Sequence, residues 1–123
     1  MKSIQTNKAP EAVGAYVQGI SLDNLVFTSG QLSLDPETGE LIREIGPATR
    51  RALENVKAIL EEAGSSLDKV IKCTVYLDDI NDFKAMNEVY EEFFKDHKPA
   101  RSAIEIAKLP LDGVVEIEAI ASL

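Results

Sequence analysis

Two ionisable residues stand inside stretches that otherwise read as strands. Arg101 lies in Pro99-Ala100-Arg101-Ser102-Ala103-Ile104-Glu105-Ile106, and Glu116 in Val114-Val115-Glu116-Ile117-Glu118-Ala119. A guanidinium in a strand grips a planar carboxylate through two parallel hydrogen bonds, fixing both position and orientation of a small acid. A partly desolvated carboxyl group takes up and returns protons near neutral pH. Strand alternation puts Arg101, Ala103 and Glu105 on one face, with the small Ala103 leaving space beside the guanidinium, and puts Glu116 and Glu118 on a shared face of the last strand. The same residues also fit a plain ion pair, Arg101 with Glu105 or across a ladder with Glu116 or Glu118, contributing roughly 1 kcal/mol or less. The residues alone leave both assignments standing. Glu118, ~7 Å further along the same face, rivals Glu116 as the proton-transfer group.

The rest of the chain offers less chemistry. Thr28-Ser29-Gly30-Gln31 places a glycine at a strand end, where backbone N–H groups approach a ligand closely, although a simple strand terminus explains it too. The one histidine, His97, stands in a charged stretch at a helix end and reads as a surface residue, so no Ser-His-Asp or Cys-His arrangement is available. Cys73 alternates with Ile71 and Val75 and reads as core. One His and one Cys make no zinc set, and Asp78, Asp79 and Asp82 precede a helix start, where capping accounts for them; no metal is expected. There is no phosphate-cradling glycine loop and no dinucleotide fingerprint.

The elements that must hold these groups follow from the pattern of apolar residues. With 123 residues, 45% of them hydrophobic and 28% charged, the chain is expected to form one soluble domain over 1–123 with a core of its own. A net charge of −8 disfavours nucleic acid and anionic membrane surfaces as partners. The absence of an apolar run of ~18 residues or of a leader-like start, with a single cysteine, points to the cytoplasm. Short strands Ala15 to Gly19 and Leu25 to Ser29 read as a hairpin turning at Asp23-Asn24, and Asp35 to Gly39 as a second turn. Ala52, Val56, Ile59, Leu60 and Ala63 recur at helical spacing over Pro47 to Ala63, with Gly64 as the stop. A strand over Val70 to Leu77 comes next. A second helix, capped by Asn81 or Asp82, carries the stripe Phe83, Met86, Tyr90, Phe93 and Phe94, and its end is marked by Lys95, His97 and Pro99. Strands Arg101 to Ile106 and Val114 to Ala121 close the chain.

This order predicts an α+β fold of two layers, a mixed β-sheet with both helices on one face. Strand Val70 to Leu77 sets Ile71, Cys73, Val75 and Leu77 against Val70, Thr74 and Tyr76, largely apolar on both sides. The face without helices is therefore expected to pack against further copies in a closed dimer or trimer, with clefts at the subunit borders.

Pro99-Ala100-Arg101-Ser102, Ile104, Ala107, Leu109-Pro110 and Val115-Glu116-Ile117-Glu118-Ala119 together resemble the C-terminal signature of the Rid/YjgF family of enamine/imine deaminases. The resemblance continues through Ala9-Pro10, Gly14, Tyr16-Val17-Gln18-Gly19, Thr28-Ser29-Gly30-Gln31, Asn55-Val56-Lys57, Lys72 to Val75, Asn87-Glu88-Val89-Tyr90 and Phe93-Phe94. It implies a chorismate-mutase-like subunit, a homotrimer with clefts between subunits, no cofactor, and hydrolysis of 2-aminoacrylate-type enamines and imines (2-iminobutanoate, 2-iminopropanoate) to 2-oxo acids and ammonia. In that pattern Arg101 holds the substrate carboxylate and Glu116 positions or activates water. Tyr16 helps wall the pocket, Ser29, Gly30 and Asn87 fall at the cleft, and Ala103 stands where many members carry Cys, so no thiol acts there. Ala15 replaces a proline often found before the tyrosine. A small-2-oxo-acid-binding regulatory trimer is the first alternative, and an endoribonuclease or translation inhibitor, disfavoured by the acidic balance, is the second.

Overall fold

Apolar side chains three and four apart build the longer helix, α1 (Ile45–Glu62), which buries Ala48, Ala52, Leu53, Val56, Ile59 and Leu60 along one side in a computed structural model describing residues 1–123. It starts two residues before the predicted Pro47, because a proline in the first turn removes only an N–H that no helical carbonyl would accept. Gly64, at φ +90°, ends it in the left-handed conformation that a Cβ disfavours. The second helix, α2 (Phe83–Phe93), follows a 3-10 turn over Ile80–Asp82. The cap belongs to that turn, not to α2: Asp79 accepts the Asn81 N–H at 2.9 Å, while Asp82 caps nothing. No helix is long and apolar enough to cross a membrane.

The strands are β1 (Lys2–Ile4), β2 (Gly19–Leu22), β3 (Leu25–Thr28), β4 (Gln31–Leu32), β5 (Val70–Leu77), β6 (Ala100–Glu105) and β7 (Val115–Ser122). They form one mixed sheet in the order β1-β2-β3-β7-β5-β6, with β4 also on β7. Only β5 and β6 run parallel, and α2 supplies their crossover. Two short strands, β1 and β4, were not foreseen, since three and two residues are too few to show alternation. The first hairpin strand lies at Gly19–Leu22 rather than Ala15 to Gly19. Asp23 at φ +53° closes Leu22 onto Leu25 through the two-residue turn, while residue 18 turns inward instead of extending.

The core lies between the sheet and the helices. Val70, Cys73, Val75 and Leu77 of β5 and Val115, Ile117, Ala119 and Ala121 of β7 meet Ala52, Leu53, Val56 and Leu60 of α1, Met86 and Tyr90 of α2, and Phe94 just beyond it. A register shift between Val70 and Lys72 reverses the expected sides: Val70 is buried and Ile71 is exposed. The opposite side of β5 therefore shows Lys72, Thr74 and Tyr76, and the apolar part of that face comes from neighbouring strands, through Phe27, Ile104 and Ile120. The expectation of a largely apolar second side on this strand was too strong. Both sides of the sheet still carry side chains that could do chemistry.

Candidate active site

On the helix side, β6 sets Arg101 beneath α2. Its Nη1 donates to Asn87 Oδ1 at 2.7 Å, and Asn87 in turn donates to Glu91 at 3.0 Å, which fixes the amide with its oxygen toward the guanidinium. The guanidinium carbon lies 4.7 Å from the Tyr90 ring centre and 5.4 Å from that of Phe83. Phe83, Asn87 and Tyr90 are spaced i, i+4, i+7, so one stripe of α2 covers one arginine. By periodicity alone Phe83 and Tyr90 read as part of the buried stripe of α2. Their helical register with Asn87 was the available signal of a second duty.

No carboxylate neutralises this arginine. The ion pairs of the chain are Arg50–Glu92 and Lys108–Asp112. Glu105, a suspected partner, accepts the Ile80 N–H at 2.8 Å instead. Pairing with Glu116 or Glu118 across a ladder is excluded by topology, because β5 lies between β6 and β7. Burial pushes the Cys73 thiol up to about 11 and raises the Tyr90 phenol above its ordinary range, so both neighbours stay neutral at pH 7. Arg101, Lys98, Asn87, Tyr90 and Glu91 line a hollow of about 360 Å³; Glu91 accepts from Asn87 and not from the guanidinium, most of whose N–H groups remain for a ligand. Ala103, two residues along and opposite Val75, keeps this side of β6 small.

Glu116 stands on the other side of the sheet. Its carboxyl group lies in a niche made by Gly30: a Cβ at that position would come within 2.8 Å of the Glu116 carboxyl carbon, so any larger residue there displaces the carboxyl group. Partial burial raises the carboxyl pKa above its ordinary value, and the negative charge of Glu118 raises it further. The same environment raises the Tyr76 phenol, through burial first and then Glu118 and Glu116. Tyr16, Ser29, Gly30, Leu111 and Glu116 line a cleft of about 650 Å³.

Side-chain to backbone bonds hold the walls of that cleft. Ser29 Oγ donates to the Val17 carbonyl at 2.5 Å, and the Ser29 N–H to that of Gln18 at 2.8 Å. Gln18 is buried; its Oε1 accepts the Thr6 N–H at 2.7 Å, and its Nε2 reaches the carbonyls of Thr6 at 2.9 Å and Pro10 at 2.8 Å. Tyr16 is thereby held next to a fixed residue without lying in a strand. In the sequence Gln18 enters only as part of the resembling segment Tyr16-Val17-Gln18-Gly19 and with no role, because a buried glutamine carries no periodic signal.

The structure thus brings Arg101, Asn87 and Ala103 together on one side, and Tyr16, Ser29, Gly30 and Glu116 together on the other. Other candidates fall elsewhere. His97 is no plain surface residue: its Nε2–H donates to the Val70 carbonyl at 2.6 Å and ties the segment after α2 to β5. Cys73 is core. No group of three or more His, Cys, Asp or Glu side chains is placed to hold a metal ion.

A mixed sheet with two helices packed on one side makes this a small two-layer α+β protein. Residues 6–123 match the family described as Endoribonuclease L-PSP, and the chain belongs to this family, which is also the YjgF/Rid family. A RutC family protein of Pyrococcus abyssi is 55% identical over 96% of this chain and 94% of its own. The 2-iminobutanoate/2-iminopropanoate deaminase of Salmonella typhimurium is 49% identical over 98% of this chain and 96% of its own. The crystal structure of E. coli TdcF with bound serine superposes with a TM-score of 0.97 at 48% identity, covering 100% of this chain and 99% of that one.

Proposed function

We propose that the protein is a hydrolytic deaminase of small 2-imino acids and their enamine tautomers, acting in sites shared between subunits of a homotrimer. The observation that carries this reading is the division of the two charges: an unneutralised Arg101 on one side of the sheet and a pKa-raised Glu116 on the other. Neither half suffices alone. One subunit's Arg101 hollow meeting the next subunit's Glu116 cleft makes a heterologous contact that closes into a ring, and the family resemblance favours three members. Phe27, Ile104 and Ile120 supply apolar surface for that contact. The buried, unpaired Cys73 thiol suits a reducing compartment such as the cytoplasm.

The chemistry follows from these groups. Arg101 takes the substrate carboxylate through two N–H donors, oriented by Asn87 and backed by Tyr90 and Phe83. An enamine protonated at carbon becomes an iminium whose C2 accepts water. As the water oxygen bonds to C2, its proton passes to the Glu116 carboxylate. Glu116 then returns a proton to nitrogen, the C–N bond breaks as the C2 hydroxyl group gives its proton to the Glu116 carboxylate, and ammonia and the 2-oxo acid leave. The raised pKa makes Glu116 a stronger base than an exposed carboxylate, which suits both transfers. No cofactor is required by this sequence of steps.

Coupling the protein to a threonine or serine dehydratase and following 2-oxo acid formation tests the reading. Wild type accelerates the appearance of product, and Arg101→Ala and Glu116→Gln lose that acceleration. Unchanged rates combined with 2-oxobutanoate binding would make the protein a sensor and overturn the deaminase assignment.

A further inference from the structure

The turn between β6 and β7 contains backbone that the mechanism leaves unexplained. Leu111 and Asp112 are consecutive residues at φ +58° and +56°. Left-handed backbone crowds Cβ against the following carbonyl, and leucine has no polar side chain to compensate by a local bond. Core packing does not compensate either, since Leu111 is 62% exposed. Bonds around the turn hold it in place. Lys108 pairs with Asp112 at 2.8 Å, Arg43 Nη2 donates to the Leu111 carbonyl at 3.3 Å, and the Gly113 N–H donates to the Pro110 carbonyl at 3.0 Å. So held, Leu111 and Pro110 form part of the wall of the Glu116 cleft. A strained backbone kept by its surroundings, presenting an apolar side chain beside a reactive carboxylate, is a recurrent device of functional sites.

We propose that Leu111 is the specificity-determining residue of the site: it receives the substrate side chain beyond C3 and selects 2-imino acids with neutral aliphatic side chains. This inference rests on the deaminase reading for the placement of C2 at Glu116. The charged groups of the cleft point the same way, because they are Glu11 and Glu116, both carboxylates, which repel an acidic side chain. Leu111 and Pro110 offer the complementary apolar contact.

The test compares Leu111→Gly, Leu111→Met and wild type on the imines that an amino-acid oxidase generates in situ from alanine and from leucine. The ratio of kcat/KM for the leucine-derived over the alanine-derived imine falls about fivefold to tenfold in Leu111→Gly and stays within about twofold of wild type in Leu111→Met. The Tm of Leu111→Gly is equal to or above that of wild type, because glycine accepts positive φ without strain. An unchanged ratio in Leu111→Gly, or an equal fall in Leu111→Met, overturns the proposal. If wild type turns over neither imine, the deaminase reading fails by itself, and the affinities for pyruvate and 4-methyl-2-oxopentanoate decide the role of Leu111. A selective loss of the larger acid in Leu111→Gly supports it, and equal losses overturn it.

Discussion

The Arg101 hollow and the Glu116 cleft are built in opposite ways. Regular elements make the hollow: a strand presents the arginine, and one stripe of α2 supplies Phe83, Asn87 and Tyr90 at helical spacing. Irregular segments make the cleft around one strand carboxylate. Loop residues 10–18, the Ser29-Gly30 strand end and the turn at 110–113 are held by Gln18, Ser29, Arg43 and Lys108. The difference assigns different duties. The rigid half is suited to gripping an invariant carboxylate, and the loop-lined half is suited to proton transfer and to accommodating the variable side chain. Changes in the hollow should therefore act chiefly on KM, and changes in the cleft on kcat or on substrate ratio.

The largest effect should come from the grip. Losing two charge-assisted hydrogen bonds, each contributing roughly 1.5 to 3 kcal/mol, lowers kcat/KM by about 100-fold or more in Arg101→Ala. Arg101→Lys keeps the charge without the fork and recovers only part of it; steady-state kinetics in which lysine restores full activity would reduce the grip to a point charge.

Gly30→Ala comes next and tests the other half. The added methyl group meets the Glu116 carboxyl group at 2.8 Å and displaces it, lowering kcat about 10-fold or more with a smaller change in KM. A pure KM effect there would erase the division of duties.

Glu118→Gln is expected to leave the fold intact and shift the pH profile. Glu118 raises the Glu116 pKa by charge repulsion, so removing it lowers that pKa, and the acidic limb of kcat moves toward lower pH. A limb that stays in place would make another group the base.

The smallest effect concerns stability. A carboxyl group whose folded pKa lies above its unfolded value disfavours folding once ionised. The cost is absent well below the unfolded pKa, grows as pH rises from there, and is full above the raised folded value. Thermal melts at pH 7 should therefore find Glu116→Gln at or above the Tm of wild type, while at a pH below the ordinary carboxylate range that advantage disappears.

The same contrast explains how much was legible in the sequence. Periodicity located both helices and the strands over β3, β5, β6 and β7, because each buries a regular stripe. The sides taken by Val70 and Ile71 and the strand at Gly19–Leu22 are not legible there. Each depends on one local hydrogen bond or register shift that composition does not encode. In the candidate site, Arg101 and Glu116 stood out as charges in strands. Their opposite sides followed only once β5 was seen between β6 and β7. Gly30 is marked in the sequence as a glycine at a strand end, Tyr16 and Asn87 are reached only through the family resemblance, and no periodic pattern points to Gln18 or Leu111, since loops held by side chains leave none.

The division of the site between subunits is tested most directly by mixing two variants. Arg101→Ala and Glu116→Gln chains, each inactive alone, are co-expressed and purified as mixed oligomers. Every mixed trimer pairs an intact Arg101 half with an intact Glu116 half at one of its three sites, so about a third of wild-type activity returns. Mixed oligomers that remain as inactive as either variant would place both groups in a site within one chain, contradicting the account.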